Sequence, residues 1–252
     1  MSETLNSDDH RRYARQIALP EWGADGQIRL RRSRALIVGL GGLGSPVATY
    51  LAGAGVGHLT LNDFDRVDAT NLPRQPLHDE ASVGHSKTAS AQRRISALNS
   101  TLCVSTIDQR LDLPALTEVI AQHDVVIDAS DNFGTRFAIN EAAVLSATPL
   151  VSAAAIRFEG QLAVFRADLE KKPCYACLYS ADDDATEDCA GQGIMTPLVG
   201  VMGSMAAAEA LKILLGSPPA DTTWLHCVDL LDTQWRRLRI SRAANCRVCS
   251  KV

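Results

Sequence analysis

Two pairs of cysteines in this 252-residue chain have the spacing of metal ligands. Cys174 and Cys177 form one CxxC pair, and Cys246 and Cys249 form a second pair near the end of the chain. Four thiolates can surround one Zn²⁺ tetrahedrally and leave no open position for water. The spacing therefore predicts a structural zinc site that attaches the C-terminal tail to the segment around the first pair. The alternatives are four unrelated thiols or a redox-active CxxC pair.

A run of glycines interrupts an apolar stretch in the segment LIVGLGGLGS. A strand, a glycine turn and a helix start bring bare backbone N–H groups close to a phosphate. The glycines are Gly39, Gly41, Gly42 and Gly44. Asp63 follows about 20 residues later, where a carboxylate would accept a hydrogen bond from a ribose hydroxyl. The pattern predicts a nucleotide site, and NAD stays open at this point.

Charged and amide side chains follow the ends of other predicted strands. They are Asn71, Arg74, Gln75, Lys87, Asp131 and Asn132. Because ligands bind at the carboxyl ends of the strands in such sheets, we expect these groups to converge on one crevice. Arg and Lys make charge-assisted hydrogen bonds to phosphates, and a nearby carboxylate can hold Mg²⁺. Each charge alone is typical of a solvated surface, but their joint placement favours a triphosphate over a dinucleotide.

Three further cysteines lie outside the two CxxC pairs. Cys189 falls in the acidic segment SADDDATEDCAGQG, whose composition predicts a surface loop. A thiol there could act as a nucleophile or sulfur acceptor, although the neighbouring acidic side chains disfavour its thiolate. Cys103 and Cys227 fall within predicted strands, and we expect both in the core.

Composition and charge exclude several classes of protein. The net charge of −4 and the charged fraction of 21% give no electrostatic footprint for nucleic acid. We find no apolar stretch near the roughly 20 residues of a membrane helix, and the N-terminus lacks the apolar core of a signal peptide. We therefore expect a cytoplasmic protein with no membrane partner. In that reducing compartment, the seven cysteines are not expected to form a disulfide framework.

Strand patterns alternate with helix-length segments along the first part of the chain. The predicted strands cover residues 35–38, 58–63, 103–107, 124–128 and 149–153. This alternation predicts a doubly wound, mostly parallel α/β sheet. After residue 155 we expect an antiparallel strand and, near the C-terminus, two more strands that extend the sheet. One or two short helices are predicted before residue 30, and a buried helix capped by Thr196 is predicted over 196–216.

Many motifs together resemble the MoeB/ThiF/HesA family, bacterial relatives of ubiquitin-activating enzymes. They are RYARQ, LIVGLGGLGS, LAGAGVG, NDFD, NLPRQ, SK, DASDN, SAAAIRFEGQ, PCYACL, TPLVGVMGSMAAAEALKIL and CRVC, in one consistent order. The resemblance implies a Rossmann-like fold and a homodimeric enzyme. Such enzymes use MgATP to adenylate the C-terminal glycine of a small ubiquitin-like sulfur carrier ending in Gly-Gly, in molybdopterin or thiamine biosynthesis. The product is an acyl adenylate ready for sulfur transfer.

The resemblance also implies roles for individual residues. Asp63 would bind the ribose, Asp131 would support Mg²⁺, and Arg74 and Lys87 would stabilise charge on the phosphates. Arg15 would reach the site from the second protomer. The remaining ATP-contacting residues would be the glycine turn, Thr70, Asn71, Leu72, Pro73 and Asn132.

Pro73 and Cys189 are two notable positions within that resemblance. The family's usual NLQRQ is NLPRQ here, and Pro73 removes a backbone donor that could contact phosphate. Cys189 stands where ThiF-like members carry a cysteine that forms an acyl disulfide with the carrier. MoeB-like members have a cysteine there too, so it does not separate the two branches.

The resemblance covers nearly the whole chain and implies one domain over 1–252. We expect helices over 1–30, a nucleotide-binding core over 31–155, and a part over 156–252 that binds the carrier, carries the crossover loop and holds zinc. Little sequence follows the last cysteine pair, so we expect sulfur to come from a separate sulfurtransferase or desulfurase. An NAD-dependent oxidoreductase and a non-catalytic scaffold of the same fold are the alternatives.

Overall fold

A computed structural model describes residues 4–180, 193–219 and 223–251 of the chain. Cys189 lies outside these described residues. The helices are α1 (Ser7–Arg12), α2 (Ala14–Ile17), α3 (Gly23–Arg32), α4 (Gly44–Ala54), α5 (Lys87–Leu98), α6 (Leu113–Ile120), α7 (Phe133–Leu145) and α8 (Thr196–Leu214). The strands are β1 (Arg34–Val38), β2 (His58–Asn62), β3 (Cys103–Ile107), β4 (Val125–Asp128), β5 (Leu150–Ile156), β6 (Glu159–Phe165), β7 (Thr223–Asp229) and β8 (Gln234–Ile240).

The strands form one eight-stranded sheet in the order β3-β2-β1-β4-β5-β6-β7-β8. Neighbouring strands are parallel from β3 to β5 and antiparallel from β5 to β8. The predicted doubly wound α/β sheet with an antiparallel extension is confirmed. Because β1 pairs with both β2 and β4, the strand order reverses there, and the carboxyl ends of β1 and β4 flank the crevice where such sheets bind ligands.

Helices cover both faces of the parallel part of the sheet because its strands are apolar on both sides. Successive residues of β1 show this alternation. Ala35 and Ile37 pack into the core layer that contains buried residues of α3, α4, α5 and α8. Leu36 and Val38 pack into the opposite layer, with α6 and α7. The glycine turn that follows β1 is therefore held between two packed layers.

Helix α8 is a central element of the first core layer. Gly203 allows its close approach to α4, since a Cβ there would lie 2.3 Å from Pro46 Cγ and 2.4 Å from the carbonyl oxygen of Leu43. The prediction of a buried helix packed on the sheet is confirmed. Its N-cap, however, is Met195, which makes no side-chain cap, and Thr196 is the first helical residue. The predicted threonine cap is therefore wrong by one position.

Length and composition alone would let α8 cross a membrane, because an 18-residue window of this 19-residue helix has a mean hydropathy of 1.4. The expectation that no apolar stretch approaches that length is wrong. Leucine, valine and isoleucine give this helix most of its hydropathy, whereas Gly203 gives it its close packing. Its buried positions contact the sheet and α4.

Two cysteines expected in the core are not buried. Cys103 begins β3 at the edge of the sheet and is exposed, and Cys227 in β7 is only half-buried. An edge strand has a neighbour on one side only, so an apolar pattern does not ensure its burial. The N-terminal region also differs, with three helices in place of one or two, and α3 ends directly before β1.

Candidate functional site

The glycine-rich segment forms a tight turn between β1 and α4. Gly39 has a φ of 91°, and a Cβ there would lie 2.6 Å from the carbonyl oxygen of Ala129. A Cβ on Gly44 would lie 1.9 Å from the carbonyl oxygen of Gly39. Neither position accepts a side chain, so the backbone can turn this tightly only with glycine. Helix α4 has no side-chain cap, the Ser45 N–H donates to the Gly41 carbonyl at 2.9 Å, and Pro46 has no N–H. The N–H groups of Gly42, Leu43 and Gly44 have no partner among the described residues and are available to an anion.

The peptide groups on both sides of Leu40 have fixed directions. The Leu40 N–H donates to Asp63 Oδ2 at 2.7 Å, and the Leu40 carbonyl lies 3.0 Å from His78 Nε2. His78 Nδ1 lies 2.9 Å from Ser90 Oγ. A neutral imidazole with its proton on Nε2 satisfies both contacts, and burial lowers the pKa of His78, which favours that neutral form. No motif surrounds His78, and the sequence gives no signal for this contact.

Lys87 begins α5 and is buried beside two carboxylates. Its Nζ lies 2.8 Å from Asp65 Oδ2 and 3.9 Å from Asp63 Oδ2. The second oxygen of Asp63 accepts the N–H of Asp65 at 2.8 Å. A buried ammonium needs such partners, and they hold Lys87 at the end of β2 beside the glycine turn. Asp65 was not among the predicted site residues, although it lies in the motif NDFD.

Asp63 therefore stabilises the local structure, in addition to its predicted contact with a ribose hydroxyl. Its two oxygens fix the Leu40 and Asp65 amides and lie near Lys87. An ionised carboxylate has about four acceptor positions, so a ribose hydroxyl can still share it. The predicted ribose contact is compatible with this geometry.

Residues 70–74 follow β2 as a short turn on the same side of the sheet. Asp68 caps this turn by accepting the Thr70 N–H at 2.8 Å. Arg74 Nη1 donates to the carbonyl oxygen of Thr70 at 2.9 Å. In a turn of this kind, the N–H of residue 73 would normally donate to the carbonyl oxygen of Thr70. Proline has no N–H, so Pro73 does not compete with Arg74 for this carbonyl. The departure at Pro73 thus leaves the carbonyl to Arg74. Asn71 and Leu72 are half-buried in this turn, whereas Pro73 is exposed.

Two buried polar atoms beside the turn have no hydrogen-bond partner among the described residues. They are Gln75 Oε1 and Ser45 Oγ. The Gln75 amide faces the glycine turn, since its Nε2 would lie 3.5 Å from a Cβ on Gly41. An unpaired buried polar group costs about 1–3 kcal/mol, which a bound ligand can recover. The Ser45 hydroxyl, the unpaired N–H groups of the turn and the buried Lys87 ammonium are donors that fit a bound phosphate, whereas Gln75 Oε1 only accepts and fits a donor such as a ribose hydroxyl.

Asp131 and Asn132 follow β4, and their loop meets the glycine turn where Gly39 approaches Ala129. Asn132 caps α7 by accepting the Thr135 N–H at 2.9 Å, and its Nδ2 donates to Asp131 Oδ1 at 3.3 Å. Asp131 itself is exposed. The structure thus brings together the loops after β1, β2 and β4, as the sequence predicted.

Arg15 lies on an exposed part of α2. Within residues 4–180, 193–219 and 223–251, it makes no hydrogen bond or ion pair with another candidate residue. The single protomer therefore does not join Arg15 to the other predicted site residues.

The four paired cysteines form one cluster, and their sulfur atoms all lie within 4.8 Å of one another. The closest distances are 3.6 Å between Cys174 Sγ and Cys246 Sγ and 3.5 Å between Cys177 Sγ and Cys249 Sγ. Zn–S bonds of about 2.3 Å in a tetrahedron place sulfur atoms roughly 3.8 Å apart. Disulfide sulfur atoms are only about 2.05 Å apart. The cluster therefore fits a zinc ion.

The pKa shifts of the clustered thiols also fit a bound cation. Burial and the neighbouring thiols raise the pKa of Cys174. Burial also opposes ionisation of Cys246, but hydrogen bonds from the Val248 and Cys249 backbone outweigh it and lower its pKa to about 7. Four thiolates at these distances repel one another, so the ionised set is stable only around a cation.

The ThiF family pattern matches residues 13–248. This chain belongs to the ThiF family. The match confirms the family resemblance drawn from the motifs, and it spans the glycine turn, the loops after β2 and β4, and most of the cysteine cluster.

This ThiF-family protein is 41% identical over 247 residues to the molybdopterin-synthase adenylyltransferase of Escherichia coli (strain K12), over 98% of this chain and 99% of that enzyme. It is 43% identical over 246 residues to the sulfur carrier protein ThiS adenylyltransferase of the same organism, over 97% of each. The crystal structure of E. coli MccB with ATP matches with a TM-score of 0.82 at 25% identity, over 99% of this chain and 76% of that chain. These matches give no support to the oxidoreductase alternative.

Proposed function

We propose that this protein uses ATP to adenylate the C-terminal carboxylate of a small ubiquitin-like sulfur carrier ending in Gly-Gly. The observation that carries this proposal is the nearly full-length match, at similar identity, to two enzymes named as adenylyltransferases. Their names give different carrier systems, so the proposal covers molybdopterin and thiamine biosynthesis alike. The glycine turn and the buried Lys87 supply the phosphate-binding geometry that this reaction needs.

The chemistry requires little more than positioning. The carrier carboxylate is ionised at neutral pH, and one of its oxygens attacks the α-phosphorus of ATP. The bond from this phosphorus to the bridging oxygen breaks, pyrophosphate leaves, and an acyl adenylate remains. No general base is needed, so orientation and electrostatic stabilisation of the transition state account for catalysis.

Each candidate residue has a proposed part in that reaction. The N–H groups of Gly42, Leu43 and Gly44 and the Lys87 ammonium would bind phosphate oxygens, with Lys87 exchanging part of its contact with Asp65 for the nucleotide. Arg74 would contact the phosphates with the guanidinium nitrogens that Thr70 does not use. Asp131 would hold Mg²⁺, which lowers the negative charge of the triphosphate when it is bound.

A homodimer completes this proposal. Arg15 is exposed on α2 and contacts no candidate residue of its own described protomer, so Arg15 of a second protomer would supply the remaining cation. We propose one domain over 1–252 with the three parts 1–30, 31–155 and 156–252. Zinc would be structural, the protein would act in the cytoplasm, and a separate sulfurtransferase or desulfurase would deliver the sulfur. Cys189 would be the thiol for any covalent carrier intermediate.

ATP–pyrophosphate exchange with purified carriers tests the proposal. Exchange should require an intact carrier C-terminus, and the same carrier lacking its last glycine is the matched control. Absence of exchange with every cellular carrier that ends in Gly-Gly would contradict adenylation. Mass spectrometry of the reaction, with the unchanged enzyme and with Cys189→Ser, identifies the carrier and tests for a covalent link.

A further inference from the structure

The loop that carries Asp131 is fixed by a buried network behind it. Asp128, fully buried at the end of β4, accepts the Ser130 N–H at 3.0 Å, the Ser130 hydroxyl at 2.6 Å and the Ser152 hydroxyl at 3.0 Å. The Ser130 carbonyl accepts a hydrogen bond from Arg136 Nη2 at 2.6 Å. That carbonyl belongs to the same planar peptide group as the Asp131 N–H, so Arg136 fixes the direction in which Asp131 leaves the strand.

Arg136 is a buried cation with no exposed face to solvate it. It is 8% exposed and lies close enough to Asp128 for the two charges to stabilise each other. The phenol of Tyr175 lies close to the same guanidinium. A guanidinium can serve both partners at once because it presents several N–H donors in one rigid plane.

One turn further along α7, Asn140 reaches the cysteine cluster. Its Oδ1 accepts the Tyr175 N–H at 2.8 Å, and its Nδ2 lies 3.7 Å from Cys174 Sγ as a donor. A metal-bound thiolate is a stronger acceptor than a neutral thiol, so this contact strengthens when the cluster holds a metal ion. Asn140 is 1% exposed, so bulk solvent does not reach it to replace these partners.

Tyr175 closes this arrangement because it lies between the first two cysteines. Its N–H donates to Asn140 and its side chain lies close to Arg136. These two residues are four positions apart and therefore on one face of α7. Its ring packs edge-on against Phe137 and Phe165, at centroid distances of 5.4 and 6.0 Å. A continuous set of buried contacts thus joins the cysteine cluster to the Asp131 loop.

We propose that Arg136, Asn140 and Tyr175 are positioning residues through which the metal-bound cysteine cluster holds Asp131 in its catalytic orientation. Zinc at this cluster then supports adenylation as well as attaching the C-terminal tail. The catalytic part of this inference rests on the proposed function, whereas the mechanical link between cluster and loop does not.

Hydrogen exchange read by mass spectrometry tests the mechanical link without any carrier. We compare the metal-loaded protein with the protein after chelation and follow the amides of residues 129–136. Metal removal should speed their exchange several-fold and leave the loop after β2 unchanged. In Tyr175→Phe, which keeps the ring and removes the hydroxyl, exchange at 129–136 should already be faster with metal bound. Equal exchange in all three samples, or a purified chain that binds no zinc or cobalt, would overturn the inference.

Kinetics separate positioning from structure. Couplings between such sites change rates by about 2- to 30-fold, and we expect a fall of this size in kcat for ATP–pyrophosphate exchange in Tyr175→Phe and Arg136→Lys. The half-saturating Mg²⁺ concentration should rise, while the KM for the carrier and the zinc content stay unchanged. Arg247→Lys is the matched control, since Arg247 Cζ lies 4.6 Å from the Phe137 ring centroid on α7 and has no hydrogen bond to the Asp131 loop in the described residues.

Each outcome has a definite meaning. Wild-type exchange kinetics in both variants would show that Asp131 needs no support from the cluster. An equal fall in kcat in Arg247→Lys would show that the variants act by a general loss of packing around α7, and not through the Asp131 loop. If the unchanged protein shows no pyrophosphate exchange with any carrier, the proposed function fails, and the hydrogen-exchange comparison still decides whether cluster and loop are linked.

Discussion

The contact between His78 and the glycine turn can be removed with one substitution. His78→Phe keeps a planar ring of similar size in the buried site and deletes both ring nitrogens. The carbonyl oxygen of Leu40 then loses its donor, while Ser90 can turn its hydroxyl to the backbone of its own helix. The main effect is therefore one unpaired buried carbonyl within the glycine turn.

The size of the effect depends on pH in a defined direction. At neutral pH, the unpaired Leu40 carbonyl should lower the free energy of unfolding by about 1–3 kcal/mol. Burial lowers the pKa of His78 from its usual 6.5, so below that pH the unfolded chain binds a proton that the folded protein does not. Wild-type stability therefore falls as the pH drops, by up to about 1.4 kcal/mol per pH unit for this histidine, until its folded pKa is reached. His78→Phe has no titrating group at this position, so its stability does not fall with pH for this reason. The difference in unfolding free energy between wild type and variant should therefore be smaller in acid.

Urea unfolding followed by tryptophan fluorescence measures both quantities. Stabilities are compared near neutral pH and about one unit below 6.5, where the deficit of His78→Phe should be smaller by up to about 1.4 kcal/mol. His85→Phe is the control, because His85 is exposed on the same connection. His123 is also buried with a lowered pKa and keeps its own contribution in every variant. An identical deficit at both pH values would refute the assignment of a neutral, buried His78.

Three more predictions concern the turn, the cation and the cluster. Gly44→Ala should destabilise the protein by several kcal/mol, because its Cβ would lie 1.9 Å from a carbonyl oxygen. Gly53→Ala in the same helix should stabilise it by about 0.5–1 kcal/mol, because nothing lies within 4 Å of the new Cβ. Thermal unfolding of the two variants measures both effects. Lys87→Met should lower ATP–pyrophosphate exchange by about 10²–10³-fold, while a near wild-type rate would exclude Lys87 from the phosphate site. Chelation should release about one zinc per chain, measured with a chromogenic chelator, and lower the melting temperature, and a protein unchanged by chelation would exclude structural zinc.

The sequence predicts best what depends on local spacing. The CxxC pairs define their cluster because each pair forms its own small turn, and the glycines define the turn after β1 because few other residues fit it. The order of the elements predicts the topology of the sheet, because alternating strands and helices can form only a few topologies.

Contacts between distant segments could not be predicted in this way. His78 meets Leu40 across 38 positions, and no pattern in the chain announces that a lone histidine will hold a backbone carbonyl. Arg136 lies four residues after the motif DASDN, and its role depends on where Tyr175 lies. The error at Cys103 has a related cause, because an apolar strand pattern does not reveal whether the strand will lie at an edge.

The close packing of α8 on the glycine turn limits how this enzyme can change over evolution. A Cβ on Gly42 would lie 3.0 Å from the side chain of Val199, and one on Gly203 would meet Pro46 and the Leu43 carbonyl. A larger residue on one side therefore needs a smaller one on the other. In related sequences, positions 42 and 199, and positions 46 and 203, should vary together. A glycine turn transplanted from a relative should function only when its own α8 accompanies it.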